Sequence, residues 1–446
     1  MGTRFRSYQP AQSYLLPPSP ADWLPSGHLA YFVSDTVDSL DLRAFYEPYE
    51  GDGRRNSPYD PAMLLKVLIY AYASGVFSSR KMARRLEEDI AFRVLGAGNF
   101  PDHRTINRFR QQHLAEFERI FLDVVLLAKE MKLVQLGTLV IDGTKVRANA
   151  SKHKAMRYGR MQQEEARLKQ EIHALLERAE RTDTAEDGAH GPDRRGDELP
   201  LELQLREQRL AQIQQARQRL EERQKQQDRE AGRHENDGND ASGPRPQGGR
   251  SKYRRAFGAV PAKRQENFTD PESRIMKTAD GYQQCYNAQA AVDGDSRLIV
   301  ANAVGPCAAD NGYLVEMTAA ARRNRGKKPR RVLADAGYRS EEGFQQLAEQ
   351  RITAYVSLGR EGKAEPRTWS KSEQPATVAM RRRLARKPGE RWYRKRKAMV
   401  EPVFGWIKQA MSFRRFSLRG LDKVRGEWQL VCAALNLKRI WGMSAA

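Results

Sequence analysis

From residue 59 to residue 135 apolar positions recur with the spacing of helices. Pro61 stands where a first turn tolerates proline; Met63, Leu64, Val67, Leu68 and Tyr70 form a broad apolar face, and Gly75 ends the run. Ser78 or Ser79 then caps a short helix over 80–88 with Met82, Ala83 and Leu86 inward, and a third piece, 90–95, stops at Gly96 and Gly98. Asp102 is a good N-cap for a fourth helix, 103–113, with Ile106 and Phe109 inward and Arg104, Asn107, Arg108, Gln111 and Gln112 outward. A helix over 116–133 closes the set. Upstream, residues 1–58 are punctuated by Pro and Gly around one amphipathic piece at 28–42, and read as an arm.

At Thr138 the period changes to an apolar, β-branched run that reaches Asp142-Gly143. A strand that ends in aspartate fixes a carboxylate at a sheet edge, while Asp-Gly is also a favoured hairpin dipeptide, so both readings stand for Asp142. Residues 151–265 interrupt the pattern. Leu168, Ile172 and Leu175, then Leu203, Leu210, Ile213 and Leu220, mark two coiled-coil seams in a field of Glu, Arg and Gln, which predicts a helical hairpin; 235–251 reads as a flexible linker. Strands follow at 283–293 and 297–304, then a helix at 311–323 and a strand at 332–335 that again ends in aspartate beside glycine. A helix at 341–350, a strand at 352–357 and a last helix carrying Glu401 complete a mixed α/β domain interrupted after its first strand.

Charge sharpens this. The 446 residues carry a formal net charge of +22, which suits a polyanionic partner; nucleic acid fits better than a membrane surface, because the chain offers no apolar anchor or spanning segment. A soluble, cytoplasmic, nucleoid-associated protein is expected. Cys285, Cys307 and Cys432 are far apart with no C-x-x-C pair, and the seven His show no ligand spacing, so a bound metal would need oxygen ligands, pointing to Mg²⁺ with Mn²⁺ as a substitute.

Three carboxylates then stand out: Asp142 and Asp335 at strand ends, and Glu401 on a helix that also carries Lys408. Such a set can hold two divalent ions for phosphodiester cleavage without a protein nucleophile. No G-x-S-x-G elbow, Cys-His pair or P-loop competes with it, and no nucleotide cofactor is expected. Arg394, Arg396, Lys397, Arg414, Arg415 and Arg419 surround Glu401 and would grip a DNA strand. The short helices before residue 113 resemble a helix-turn-helix whose last member, with Arg104, Asn107 and Arg108, enters a major groove; a plain bundle with a basic surface is the alternative. Trp392, Trp406 and Trp428 read as core rather than base-stacking residues, Asn287 and Gln289 as satisfying sheet-edge backbone, and Asp270 as a turn former.

The motifs at 139–149, 267–277, 286–289, 334–338 and 400–408 resemble those of a bacterial insertion-sequence transposase of the family numbered eleven eighty-two, within the IS-four-like DDE superfamily. The likeness extends to 17–29 and 59–110. It implies a ribonuclease H-like core over 136–150 and 266–446 behind a helix-turn-helix-like domain over 59–135; the helical insertion over 151–265 lies outside the likeness and is read from its seams. The likeness further implies a DDE triad of Asp142, Asp335 and Glu401 with Mg²⁺, cut-and-paste movement between terminal inverted repeats, and a homodimer on paired double-stranded DNA ends. Lys408 fits the superfamily's Tyr-Arg-Glu-Lys spacing; strict spacing for the Tyr and Arg lands on Arg394 and Lys397, with Tyr393 and Arg396 one residue off. A transposase-derived repressor that does not cut, and a stand-alone nuclease, are the rival readings.

Overall fold

The computed structural model describes residues 19–50, 57–190, 201–233, 255–359 and 374–444. The start of the arm, the linker at 235–251 and part of the basic stretch before Glu401 lie outside the described residues. By contacts the chain divides into two units, residues 1–146 with 286–446, and residues 147–285.

Among the described residues of the larger unit seven α-helices come first: α1 (Leu29–Asp38), α2 (Arg43–Tyr46), α3 (Pro61–Ala73), α4 (Ser79–Glu88), α5 (Ile90–Gly96), α6 (His103–Gln112) and α7 (Glu116–Glu130). Their ends follow the local chemistry. Asp60 accepts from Met63 N at 2.9 Å to cap α3, and Asp102 accepts from Arg104 N and Thr105 N, each at 2.7 Å, to cap α6. Gly75 ends α3 at φ +80°, where a Cβ would lie 2.8 Å from Met411 O, so both the backbone angle and the space require glycine.

Strand β1 (Thr138–Arg147) leaves this helical set, and β5 (Gly281–Asp293) and β6 (Ile299–Gly305) follow the insertion. Helix α10 (Tyr313–Arg325), β7 (Arg331–Ala334), α11 (Glu341–Glu349), β8 (Thr353–Val356), α12 (Pro375–Leu384), α13 (Lys387–Gly405) and α14 (Leu421–Ser444) complete the unit. The strands run β6-β5-β1-β7-β8, with β5 and β6 antiparallel and β1, β7 and β8 parallel. This is the mixed α/β sheet read from the sequence, with two additions, α12 and α14. Glu401 is therefore on the penultimate helix, not the last. Past Gly405 the helix widens into a single π turn, Trp406–Ala410, and Ser412 breaks it at φ +59°. Phe413 and Phe416 turn inward against Trp428 while Arg414, Arg415 and Arg419 stay exposed.

Helix α14 has apolar residues on every side, from Val424 to Ile440, and is buried accordingly, packing on α3, α7 and β6. It joins the N-terminal helices to the sheet, so 59–135 shares its core with the sheet. Two polar contacts fix its position: Asn436 bonds both N and O of Ile299, and Glu427, fully buried, accepts from Tyr72 Oη at 2.9 Å and from the amides of Ser417 and Leu418. Tyr72 in turn takes a bond from Arg110, a charge that the amphipathic pattern of α6 did not mark as buried.

The smaller unit holds β2 (Ala155–Arg157), α8 (Tyr158–His190), α9 (Leu201–Glu230), β3 (Gln265–Asn267) and β4 (Arg274–Thr278). Helices α8 and α9 are antiparallel: Tyr158 meets Glu221, Glu165 meets Arg217 and Glu171 meets Arg206. Met161, Leu168, Ile213, Ala216 and Leu220 fill the seam. This is the hairpin that the two seams predict. β2 pairs with β3, and β4 with the start of β5. The carbonyl of Asp270 accepts from Ser273 N and Oγ, a turn as expected.

His113, fully buried among Phe45, Tyr49 and Phe109, gives the fold a pH dependence. Among the described residues neither ring nitrogen finds a hydrogen-bond partner, and Glu116 Oε1 is 3.9 Å away. Burial lowers the imidazole pKa below 6.5, with Glu116 opposing. The unfolded chain takes up a proton near 6.5 and the folded chain does not, so stability is lost as pH falls below 6.5. Unfolding free energy should fall by at most about 1.4 kcal/mol per pH unit there, and His113→Phe should remove that slope in denaturant melts.

Candidate active site

β1 and β7 are parallel neighbours with Thr138 beside Arg331, Leu139 beside Val332 and Val140 beside Leu333. Continuing that register by two residues sets Asp142 opposite Asp335. Asp335 follows the carboxyl end of β7, and Asp142 lies within β1 just past its last residue paired with β7, where the chain order reverses from β5 on one side of β1 to β7 on the other. That is where open α/β sheets bind ligands. Neither reading of Asp142 holds as stated: β1 runs on through Gly143 to Arg147, so Asp142 neither ends the strand nor opens a hairpin turn.

The surroundings are tight. A Cβ on Gly143 would lie 2.3 Å from Gln289 Nε2, and a Cβ on Gly337 would lie 3.0 Å from both Asp335 Oδ1 and Asp310 Oδ2. Asp335 Oδ1 accepts from Gly337 N at 2.8 Å, closing the turn that holds it. Burial raises the pKa of Asp142 above the usual carboxylate range and the charge of Asp335 adds to this, while the Arg396 guanidinium and the Gly143 N–H oppose it. Tyr338, buried below, donates to Gln289 Oε1. Its hydroxyl is pushed well above the normal tyrosine range by burial and then by the charges of Asp310, Asp142 and Asp335.

Helix α13 packs on β7 and β8 and presents Val400 and Val403 inward. On the same helix Arg396 reaches into the site, its Nη1 3.1 Å from Asp142 Oδ2, with both side chains largely buried. Glu401 is exposed. Among the described residues no three His, Cys, Asp or Glu side chains are grouped so as to hold a metal. Asp142 and Asp335 come together; in place of a third carboxylate, Asp142 faces a guanidinium. The donor set is oxygen only, and Gly337 leaves a gap between two carboxylates where any other residue would project a side chain, so these residues fit a hard divalent cation.

The proposed DNA-contacting residues separate into two groups. Arg104 and Arg108 are exposed and Asn107 half-buried on α6, along a groove of about 810 Å³ shared with Ser79, Arg80 and Lys423. Asn107 Oδ1 accepts from Arg110 at 2.8 Å. On α13, Arg394 pairs with Glu390 at 2.6 Å and Lys397 is exposed; Arg396 faces Asp142 instead of solvent. Lys408 lies in the π turn, so its face relative to Glu401 is not that of a regular helix, and Arg414 Nε donates to its carbonyl at 3.1 Å. The tryptophans are packed: Trp428 is in the core and donates to Gln289 O, Arg331 covers Trp392 and Arg439 covers Trp406.

Comparison with known families decides the identity. The chain matches the transposase DDE domain over residues 237–437 and a transposase domain (DUF772) over residues 18–112. It belongs to the insertion-sequence DDE transposases. No curated protein and no solved structure matches it. The DDE match takes in Asp335 and Glu401; Asp142, beyond its start, is placed beside Asp335 by strand register alone. Among the described residues no helix of the transposase is long and apolar enough to cross a membrane.

Sequence reasoning missed Asp310, which lies between β6 and α10 with no periodicity to mark it, and misjudged Asn287 and Gln289. Both are fully buried and bond to Asp310, and β5 is interior to the sheet, so they do not satisfy a sheet edge.

The Arg396–Asp142 pair predicts a strong coupling. Arg396→Met should cost the transposase about 3 kcal/mol by leaving Asp142 unpaired, and adding Asp142→Asn should restore most of it, as read in a double-mutant cycle of unfolding free energies.

Proposed function

We propose that this transposase binds the terminal inverted repeats of its insertion sequence and cuts and rejoins DNA phosphodiesters beside Asp142 of β1 and Asp335 after β7. The observation that carries the reading is the register that sets Asp142 opposite Asp335. The order of the strands, an antiparallel set followed by parallel crossovers, supports a ribonuclease H-like core. Asp142 and Asp335, joined by Glu401, would hold Mg²⁺ or Mn²⁺. Such ions supply Lewis acidity to the scissile phosphate and stabilise the oxygen that leaves it.

The chain's own residues do the rest. The exposed cations on α13 and after it, Arg394, Lys397, Arg414 and Arg415, set the DNA strand against the two aspartates. Arg104, Asn107 and Arg108 on α6 read the end as a helix-turn-helix would, phosphates and base edges together. Arg396 neutralises Asp142 until the third carboxylate takes its place, so α13 must shift for cutting. Two ends have to be held together for strand transfer, which calls for a pair of chains.

One observation favours a second reading, a DNA-binding repressor that does not cut: no three carboxylates are grouped among the described residues. Incubation with Mg²⁺ and duplexes carrying the sequence that flanks the gene separates the two. Cutting should occur at the ends, fall by at least about 10³-fold in Asp335→Ala, and leave DNA affinity within about twofold. End binding without any nicking by the wild type would establish the repressor, and equal cutting of random duplexes would establish a general nuclease.

A further inference from the structure

Below the two aspartates lies a buried polar network whose centre is not one of the three expected carboxylates. Asp310 Oδ1 accepts from Asn287 Nδ2 at 2.7 Å, from Gln289 Nε2 at 2.8 Å and from Lys145 Nζ at 3.4 Å. Gln289 Nε2 also reaches Asn287 Oδ1 at 2.9 Å, and Gln289 Oε1 accepts from the Tyr338 hydroxyl. Every polar end of the Gln289 amide therefore has a partner, and both amides are fully buried.

This network touches the backbone of both strand ends. The Gln289 amide presses on Gly143, where a Cβ would lie 2.3 Å from Nε2 and 3.0 Å from Cδ, directly after Asp142. Tyr338 closes the turn that follows Asp335, its N–H donating to Asp335 O at 3.3 Å. Gln289 thus abuts one aspartate's backbone and, through Tyr338, the other's turn.

A side-chain amide has two nearly isosteric orientations, and only its partners choose between them. An ionised carboxylate accepts and cannot donate, so Asp310 forces the Gln289 NH₂ toward itself and leaves Oε1 as the acceptor that Tyr338 needs. With Asp310 gone the Asn287 and Gln289 amides are free to invert together, which sets the Gln289 NH₂ against the Tyr338 oxygen and leaves the buried Tyr338 proton without its acceptor. The floor under both aspartates then loses its fixed geometry.

We propose that Asp310 is a positioning residue of the cutting site, acting through Gln289 and Tyr338 to hold Asp142 and Asp335 at their working separation. This rests on the reading of the site as a DNA-cutting centre. Its geometry also explains why Gly143 and Gly337 flank the aspartates: one makes room for the Gln289 amide, the other for the carboxylates of Asp310 and Asp335.

The test compares Asp310→Ala with Asp310→Asn, which keeps an oxygen able to accept from both amides. For Mg²⁺-dependent nicking of end-bearing duplex, Asp310→Ala should lower kcat by about 10- to 100-fold with KM for DNA unchanged, and Asp310→Asn should stay within about threefold of wild type. In the metal-free proteins, amide hydrogen exchange of peptides covering 139–146 and 333–340 should accelerate in Asp310→Ala, remain near wild type in Asp310→Asn, and be unchanged in both over α3 and α14. Full nicking by Asp310→Ala, equal damage by both variants, or unaltered exchange at the two strand ends would each overturn the assignment. Should the wild type not nick at all, the cutting reading fails by itself, and the exchange arm still decides whether Asp310 holds the strand ends.

Discussion

Two carboxylates placed side by side repel each other, and the sheet of this transposase holds them there. Parallel pairing of β1 with β7 fixes Asp142 opposite Asp335, and partial burial strengthens their repulsion by thinning the water between them. The raised pKa of Asp142 records chiefly the cost of burying its charge, to which Asp335 adds. Three features offset it: the Arg396 guanidinium, the Gly143 amide, and the hydrogen-bonded turn that holds Asp335. A site built this way is a weak contributor to stability and a strong attractor for positive charge, which is what a cation-dependent cutting centre requires.

Helix α13 carries two candidates for that positive or bridging role. Arg396 lies on its buried side and Glu401 on its exposed side. Pro402 inside the helix and the π turn after Gly405 weaken its backbone ladder next to Glu401. Where α13 meets the π turn, the helix is therefore least constrained beside Glu401. The same break separates Lys408 from the regular helical spacing that placed it on the face of Glu401.

Much of this was legible because local chemistry and fold agree. The Asp60 and Asp102 caps, Pro61 and the glycine stops bounded the helices; the apolar run into Asp142 and the shorter one into Asp335 gave the strands; the leucine seams gave α8 and α9. What was hidden depends on contacts between distant segments. Helix α14 has apolar residues all round and no amphipathic period. Arg110 looks like a surface cation until Tyr72 and Glu427 are brought beside it. Arg396 was one of several cations in a basic run, and only the packing of α13 selects it for Asp142. Asp310 has no pattern of its own and matters because β5 and the turn after β7 meet it.

The account stands on three acids together holding divalent cations, although only two lie side by side in the resting fold. Mn²⁺ binding followed by electron paramagnetic resonance, with end DNA present, tests this most directly. Asp142→Asn, Asp335→Asn and Glu401→Gln should each weaken the Mn²⁺ affinity of the wild type by about tenfold or more. Wild-type affinity in Glu401→Gln, or no Mn²⁺ bound by the wild type, would contradict it.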